Sequence, residues 1–166
     1  MMFMLAAIGA TVAGLLELTI VRHLGIGGAH PHLVLVLGVI WTIATGVESG
    51  LVWAFAGGLA LDVFAQRPLG STAFTLLVCF AGVALLGRVL SRVRPVAPIP
   101  LVFAFSLVSS LLLMVVYGAL RSPIPAADPV SVVLPGVVYD TVVAAVLGPL
   151  VISAIDRRMI EERAEW

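Results

Sequence analysis

The sequence predicts an all-α integral membrane protein with about six transmembrane helices packed as one compact bundle. Of its 166 residues, 61% are hydrophobic, and the mean hydropathy is +1.20. The apolar residues fall in successive runs, and because one spanning helix needs about 20 mostly apolar residues, six spans take up about 120 residues. Only short connections remain, so we expect no separate soluble catalytic domain.

Glycine, proline and arginine separate the apolar runs and set the expected span boundaries. The region 32–64 is open to two interpretations, since each of its halves is shorter than a usual crossing. It is either two short helices, which we favour, or one long kinked element. The expected spans, within a single domain covering 1–166, are approximately 2–21, 32–46, 49–64, 69–90, 101–120 and 130–155, followed by a charged tail at 156–166.

The arginines predict the orientation of these spans. All nine cationic residues are Arg; six lie in the even-numbered loops and the C-terminal tail, and three lie in the odd-numbered loops. Because positively charged loops are retained in the cytoplasm, we expect both termini there. Anionic lipid headgroups attract basic residues on that side. These residues either only determine topology, which we favour, or form a dedicated protein-binding patch. They are Arg88, Arg92, Arg94, Arg157 and Arg158, with Arg163 in the tail.

A stripe of small side chains leads to a carboxylate in the second and third apolar runs. Gly46, Gly50, Ala54, Gly58 and Asp62 recur at intervals of four, which places them on one helix face. Small residues let a second backbone approach closely, which is a main source of helix association in lipid. The stripe therefore predicts a helix-packing interface, internal or with a partner, unless it only reflects the abundance of glycine.

Four acidic residues lie in the spans or at their edges: Glu17, Glu48, Asp62 and Asp140. A carboxylate at the bilayer centre costs about 2.5 to 3.5 kcal/mol, so it usually faces protein or water and has a partner. Asp140 lies deepest and is a candidate intramembrane polar site. Glu17 and Glu48 are near span ends, where an interfacial position is expected, and Asp62 can pair with Arg67 across a turn.

The sequence contains no pattern typical of a reaction centre, a cofactor site or a metal site. His23, His30 and His32 share one glycine-rich loop, but they lack the cysteine or helical spacing of zinc ligands. Two isolated aspartates do not specify a catalytic dyad. Zero net charge without a basic excess also argues against a nucleic-acid partner. We therefore expect neither catalytic residues nor a cofactor.

Several short segments, in their order along the chain, resemble the MreD family of bacterial rod-shape proteins. The clearest are a proline-opened apolar run at 31–35, a glycine-rich helix end at 57–62, and the turn formed by Pro68, Leu69 and Gly70. Near the C-terminus, the segments 134–135 and 148–150, Asp140 and the Arg157-Arg158 pair also resemble this family. Two residues depart from the usual pattern. His32 stands where the family often has Asp or Asn, and Asp140 stands where Asn is more usual.

The resemblance implies a non-enzymatic scaffold in the bacterial inner membrane. Such a protein binds the single-span protein MreC and helps to link cytoplasmic MreB filaments to the peptidoglycan synthase. That synthase consists of a SEDS-type glycosyltransferase and a class B penicillin-binding protein. The family also resembles the six-helix substrate-binding subunits of energy-coupling-factor vitamin transporters, which implies a fold but does not fix a function.

The main alternative is that the chain is a substrate-binding subunit of a vitamin-type transporter. Such a subunit needs a pocket with convergent polar groups. The spans contain few polar side chains besides four carboxylates and some hydroxyls, which favours the scaffold.

Overall fold

The computed structural model describes residues 2–19, 30–89, 98–120 and 129–164, with side chains described through 86 in the second range and from 133 to 155 in the last. The described residues form six helices and no strands. The prediction of an all-α membrane protein is therefore confirmed. The helices are α1 (Met2–Thr19), α2 (Leu33–Thr45), α3 (Val47–Phe64), α4 (Ser71–Val89), α5 (Pro98–Ala119) and α6 (Pro129–Ala164).

Four of these helices are long and apolar enough to cross a membrane: α1, α3, α5 and the part of α6 from Val133 to Ile155. Helices α2 and α4 supply shorter apolar segments. With 13 residues, α2 is ~20 Å long at 1.5 Å per residue, which is less than the ~30 Å hydrocarbon core of a bilayer. In the last helix, the α-helical conformation continues beyond residue 155 to Ala164.

Helix α2 is the centre of the bundle and contacts each of the other five helices. Its side chains are apolar on all sides, as expected for a helix with no face to water. Five of them are completely buried: Val34, Leu35, Val36, Val39 and Ile40. The other helices form a shell around it, with α1 against α3, α3 against α4, and α5 against α6.

A single residue, Gly46, separates α2 from α3, so the region 32–64 consists of two helices. Its φ of 101° lies in the left-handed range, which glycine adopts without the steric cost that a Cβ brings. Two tryptophans join the hairpin. Trp41 stacks on Trp53 with 5.4 Å between ring centroids, and Trp53 Nε1 donates a hydrogen bond to the Val34 carbonyl oxygen at 3.0 Å.

Candidate functional site

Asp62 caps the N-terminus of α4 from the last turn of α3. Its completely buried carboxylate accepts hydrogen bonds from the backbone amides of Gly70 at 2.8 Å and Thr72 at 3.1 Å. It also accepts one from the Ser71 hydroxyl at 3.2 Å. The first amides of a helix have no partner within the helix, and a negative charge there is favourable. Asp62 thus satisfies these amides across the turn.

The predicted turn Pro68-Leu69-Gly70 connects the two helices and brings the amides to Asp62. Gly70 has a φ of 88°, a conformation that favours glycine, while Leu69 is 73% exposed. The Arg67 backbone amide donates to the Asp62 carbonyl oxygen at 2.9 Å. This backbone bond links the two residues that the sequence suggested as an ion pair, and the Asp62 side chain is directed to α4.

The small-residue stripe lies inside the bundle from Gly50 to Asp62 and contacts other helices of the same chain. Gly46 was predicted on the same helix face, but it is exposed and lies in the break between α2 and α3. A Cβ added to Gly58 would lie 2.7 Å from the Ala73 backbone nitrogen, and one added to Gly50 would lie 2.8 Å from Thr42 Cγ2. Ala54 is completely buried. The stripe therefore lets α3 approach the backbone of α4 at Gly58 and the side chains of α2 at Gly50.

The N-terminus of α2 receives two carboxylates from distant parts of the chain. Asp140 of α6 accepts a hydrogen bond from the His32 backbone amide at 2.6 Å, and Glu17 of α1 accepts one from the Val34 amide at 3.0 Å. The Asp140 carboxylate also accepts from the hydroxyl of Ser106, near the middle of α5. Four elements of the chain therefore meet at the start of α2.

The His32 side chain completes this cluster. Its Nδ1 lies 3.3 Å from Glu17 Oε2, a distance that allows an ion pair, although the angles are not those of a hydrogen bond. The side chain of Glu17 is only 12% exposed. His32 and Asp140, the two positions that depart from the usual residues of the resembled family, are thus in direct contact. We name the group Glu17, His32, Ser106 and Asp140 the α2 cap cluster.

Sequence reasoning identified Asp140 as an intramembrane polar residue but did not find its partners. It assigned Glu17 to an interfacial position and did not predict that its carboxylate caps α2. One feature of the sequence could have indicated this cap: an acidic residue near the end of one span is followed by a helix start that a proline opens. Glu48, the other expected interfacial acid, lies in the first turn of α3 and is exposed.

The predicted basic residues lie at the edges of the described residues or beyond them. Arg92 and Arg94 lie outside the described residues. Arg88 lies in α4, and Arg157 and Arg158 lie in α6, but their side chains are outside the described part of the chain. Among the described residues, no group of three histidine, cysteine or acidic side chains is arranged to hold a metal ion.

A regular apolar stripe covers one exposed face of α6. Its members are spaced by four residues and each is more than half exposed: Leu134, Val138, Val142, Val146 and Leu150. A groove of about 540 Å³ lies along the first part of this stripe, where Pro135 and Tyr139 also contribute to its lining. In a membrane, such a face contacts either lipid or another apolar helix.

Comparison with known protein families identifies the chain. The model of the family described as rod shape-determining protein MreD matches residues 1–156, nearly the whole sequence. The chain belongs to the MreD family. No curated protein and no solved structure matches it. The family match confirms the family predicted from the sequence segments. MreD is a shape-determining membrane protein family and not a known enzyme family.

Proposed function

We propose that this MreD-family protein is a non-enzymatic scaffold subunit of the bacterial cell-wall elongation complex. In this role it binds MreC and helps to couple MreB filaments to peptidoglycan synthesis by a SEDS-type glycosyltransferase and a class B penicillin-binding protein. The family membership over residues 1–156 supports a rod-shape role. In the structure, acidic side chains inside the bundle accept hydrogen bonds from the starts of other helices, which supports a scaffold.

Each carboxylate that is buried or partly buried in the described part of the chain holds a helix start. Asp62 accepts bonds from α4, while Glu17 and Asp140 accept bonds from α2. A general base must reach a proton on a substrate, but these oxygens are already directed at backbone amides. The observation that carries the proposal is therefore that the intramembrane acidic residues join helices to one another.

The contact with MreC requires a surface that the bundle itself leaves uncovered. The stripe of Gly50, Ala54, Gly58 and Asp62 is buried within the chain. It supports partner binding indirectly, by fixing α3 against its neighbours. We assign the contact to the apolar stripe of α6, because its groove offers shape as well as apolar area to a single transmembrane helix.

Bulky substitution on this stripe tests the assignment. Val142→Trp places a large side chain in the α6 groove, and it should reduce the amount of MreC that co-purifies with the protein at least fivefold. The matched control is Val115→Trp on α5, because Val115 is 67% exposed and lies outside the groove. Equal MreC recovery with both variants would contradict the assignment to α6.

The orientation is part of the same proposal. The arginine distribution supports cytoplasmic N- and C-termini in the inner membrane, with the basic segments near the MreB side and its anionic lipid surface. A reporter fused after Trp166 should be active in the cytoplasm. An exported C-terminus would contradict the proposed orientation.

A vitamin-type transporter subunit is the second function that the fold resemblance suggests. The polar cavity beside His32 has a volume of about 40 Å³. Sites for drug-sized ligands usually measure about 300 to 1,000 Å³, so this cavity does not favour a vitamin. A thermal-shift screen of the purified protein against vitamins checks this point, and a saturable ligand-dependent increase in Tm would favour the transporter.

A further inference from the structure

A small cavity lies where the N-termini of α2 and α4 meet the middle of α5. Its volume is about 40 Å³. Two leucines and five polar side chains line it, the polar ones being His32, Thr72, Thr75, Ser109 and Ser110. Most of the cavity surface is apolar, so the polar groups favour an occupant only where one of them lacks a hydrogen-bond partner.

Thr72 gives the strongest indication of an occupant. Its side chain is only 1% exposed, and its hydroxyl makes no hydrogen bond to any described group of the protein. An unsatisfied buried hydroxyl costs about 1 to 3 kcal/mol, and native proteins leave few such groups. A hydrogen-bonding molecule in the cavity that Thr72 lines would remove this cost.

The other three hydroxyls on the cavity wall face it as acceptors. Thr75 donates its proton to the Ser71 carbonyl oxygen, and both Ser109 and Ser110 donate theirs to the Ser106 carbonyl oxygen, each at 2.9 Å. A hydroxyl that donates to the backbone keeps two lone pairs for further hydrogen bonds. The wall therefore offers acceptors that suit a small molecule with donor protons.

The charges around the cavity favour a neutral occupant. No carboxylate in the described part of the chain lines the cavity, so a cation would find no counter-charge in its wall. Asp62 already caps α4, and Glu17 and Asp140 already cap α2, so the positive ends of these two helix dipoles offer an anion little further attraction. Neither sign of charge is favoured, whereas a neutral donor and acceptor meets no opposing charge.

We propose that this cavity is a hydration site that holds ordered water, with one molecule hydrogen-bonded to the Thr72 hydroxyl. A water molecule needs at least about 10 to 15 Å³ and two to four polar partners, and the cavity supplies both. The waters bridge the α2 cap cluster to the first turn of α4. This assignment is independent of the proposed scaffold function.

Replacing Thr72 with valine tests the site by the sign of its effect. Thr72→Val keeps the shape and removes the hydroxyl. If water satisfies the hydroxyl, the variant loses a hydrogen bond, and its Tm in detergent should fall by about 2 to 4 °C. If the cavity is dry, the same change removes an unsatisfied polar group, and an unchanged or raised Tm would overturn the proposal.

Two control variants isolate the hydroxyl. Thr72→Ser keeps the hydroxyl and should lower Tm less than Thr72→Val does; an equal or larger fall would count against the proposal. Thr11→Val removes a hydroxyl on α1, away from the cavity, that donates to the Ala7 carbonyl oxygen of the same helix. It should leave Tm within about 1 °C of the parent protein.

Density for the unmodified protein provides a second measurement that does not depend on a variant folding. A map at a resolution that shows other buried waters should show peaks within hydrogen-bond distance of Thr72 Oγ1. An empty cavity in that map would overturn the proposal. Replacing sodium chloride with choline gluconate at constant ionic strength tests for an ion. If this exchange changes the Tm of the parent protein but not that of Thr72→Val, the occupant is an ion and the proposal is overturned.

Discussion

The starts of α4 and α2 are both capped by carboxylates, but they obtain them in different ways. At α4, one residue, Asp62, reaches amides 8 to 11 positions further along the chain across a single turn. At α2, Asp140 comes from 108 positions away, and Glu17 approaches from the preceding helix. One cap is local and depends on a turn, whereas the other exists only once the whole bundle has formed.

This difference indicates how the two helix starts respond to damage. Asp62 alone carries the cap of α4, so its loss leaves several buried donors without an acceptor. At α2 the work is divided between two carboxylates on different helices, and removing one leaves the other in place. The comparison predicts a large effect at Asp62 and smaller, cumulative effects in the α2 cap cluster.

The largest effect is expected for Asp62→Ala. It removes the acceptor for the Gly70 and Thr72 amides and the Ser71 hydroxyl, and should lower the free energy of unfolding by about 3 kcal/mol or more. Reversible unfolding in detergent measures this loss. The control is Glu48→Ala, at an exposed acid in the first turn of α3, which should cost less than about 1 kcal/mol. Equal losses in both variants would remove the distinction.

Single substitutions at the α2 cap should have intermediate effects. Asp140→Ala and Glu17→Ala should each lower the free energy of unfolding by about 1 to 2 kcal/mol, because the second carboxylate still accepts a bond from the helix start. The double variant should lose at least the sum of the two. A double variant no less stable than Asp140→Ala would show that Glu17 contributes nothing.

Close approach of α3 to α4 predicts a contrast between two helical glycines. Gly58→Ala should destabilise the protein by about 1 to 3 kcal/mol, because the new methyl group meets the Ala73 backbone. Gly14→Ala should be neutral or stabilising by up to about 1 kcal/mol, since its Cβ would be 3.7 Å from the nearest atom and alanine favours helix. Thermal unfolding of both variants measures the contrast, and a stable Gly58→Ala would contradict the contact.

The smallest effect is the coupling between His32 and Asp140. His32→Asp places a carboxylate beside Glu17 and Asp140, so it should destabilise through repulsion. Adding Asp140→Asn removes one of these three carboxylates, so it should restore about 1 kcal/mol in a double-mutant cycle. An additive cycle would show that the two positions do not depend on each other.

The sequence was sufficient for the fold class and for the features of the molecule that are local. Apolar runs predicted an all-helical membrane protein, and short segments in a fixed order along the chain, most clearly those near Pro68, predicted the family. Both predictions are confirmed. The residues of the α4 cap could be grouped because Asp62 and its turn are neighbours in sequence. Spacing of four residues was enough to place Gly50, Ala54 and Gly58 on one helix face.

The α2 cap cluster could not be read from the sequence, because it depends on contacts between residues far apart. Periodicity places Asp140 within the last helix but does not say which helix start it faces. The bond from Glu17 to α2 was not predicted, because the count of residues gives depth along one helix and not the position of a neighbouring helix. Ser106 carried no signal, since serine is common in apolar helices and often bonds its own backbone.

Helix α6 has a further consequence through its length. Its 36 residues extend ~54 Å, while the hydrocarbon layer of a bilayer is ~30 Å thick, so an upright helix would project by ~24 Å in total. Pro135 and Pro149 each remove one backbone hydrogen bond inside this helix, but the helical backbone still runs from Pro129 to Ala164 and can transmit tilt along its axis. A change in the tilt of α6 inside the lipid would therefore move the part of the helix outside the lipid, together with any group bound there.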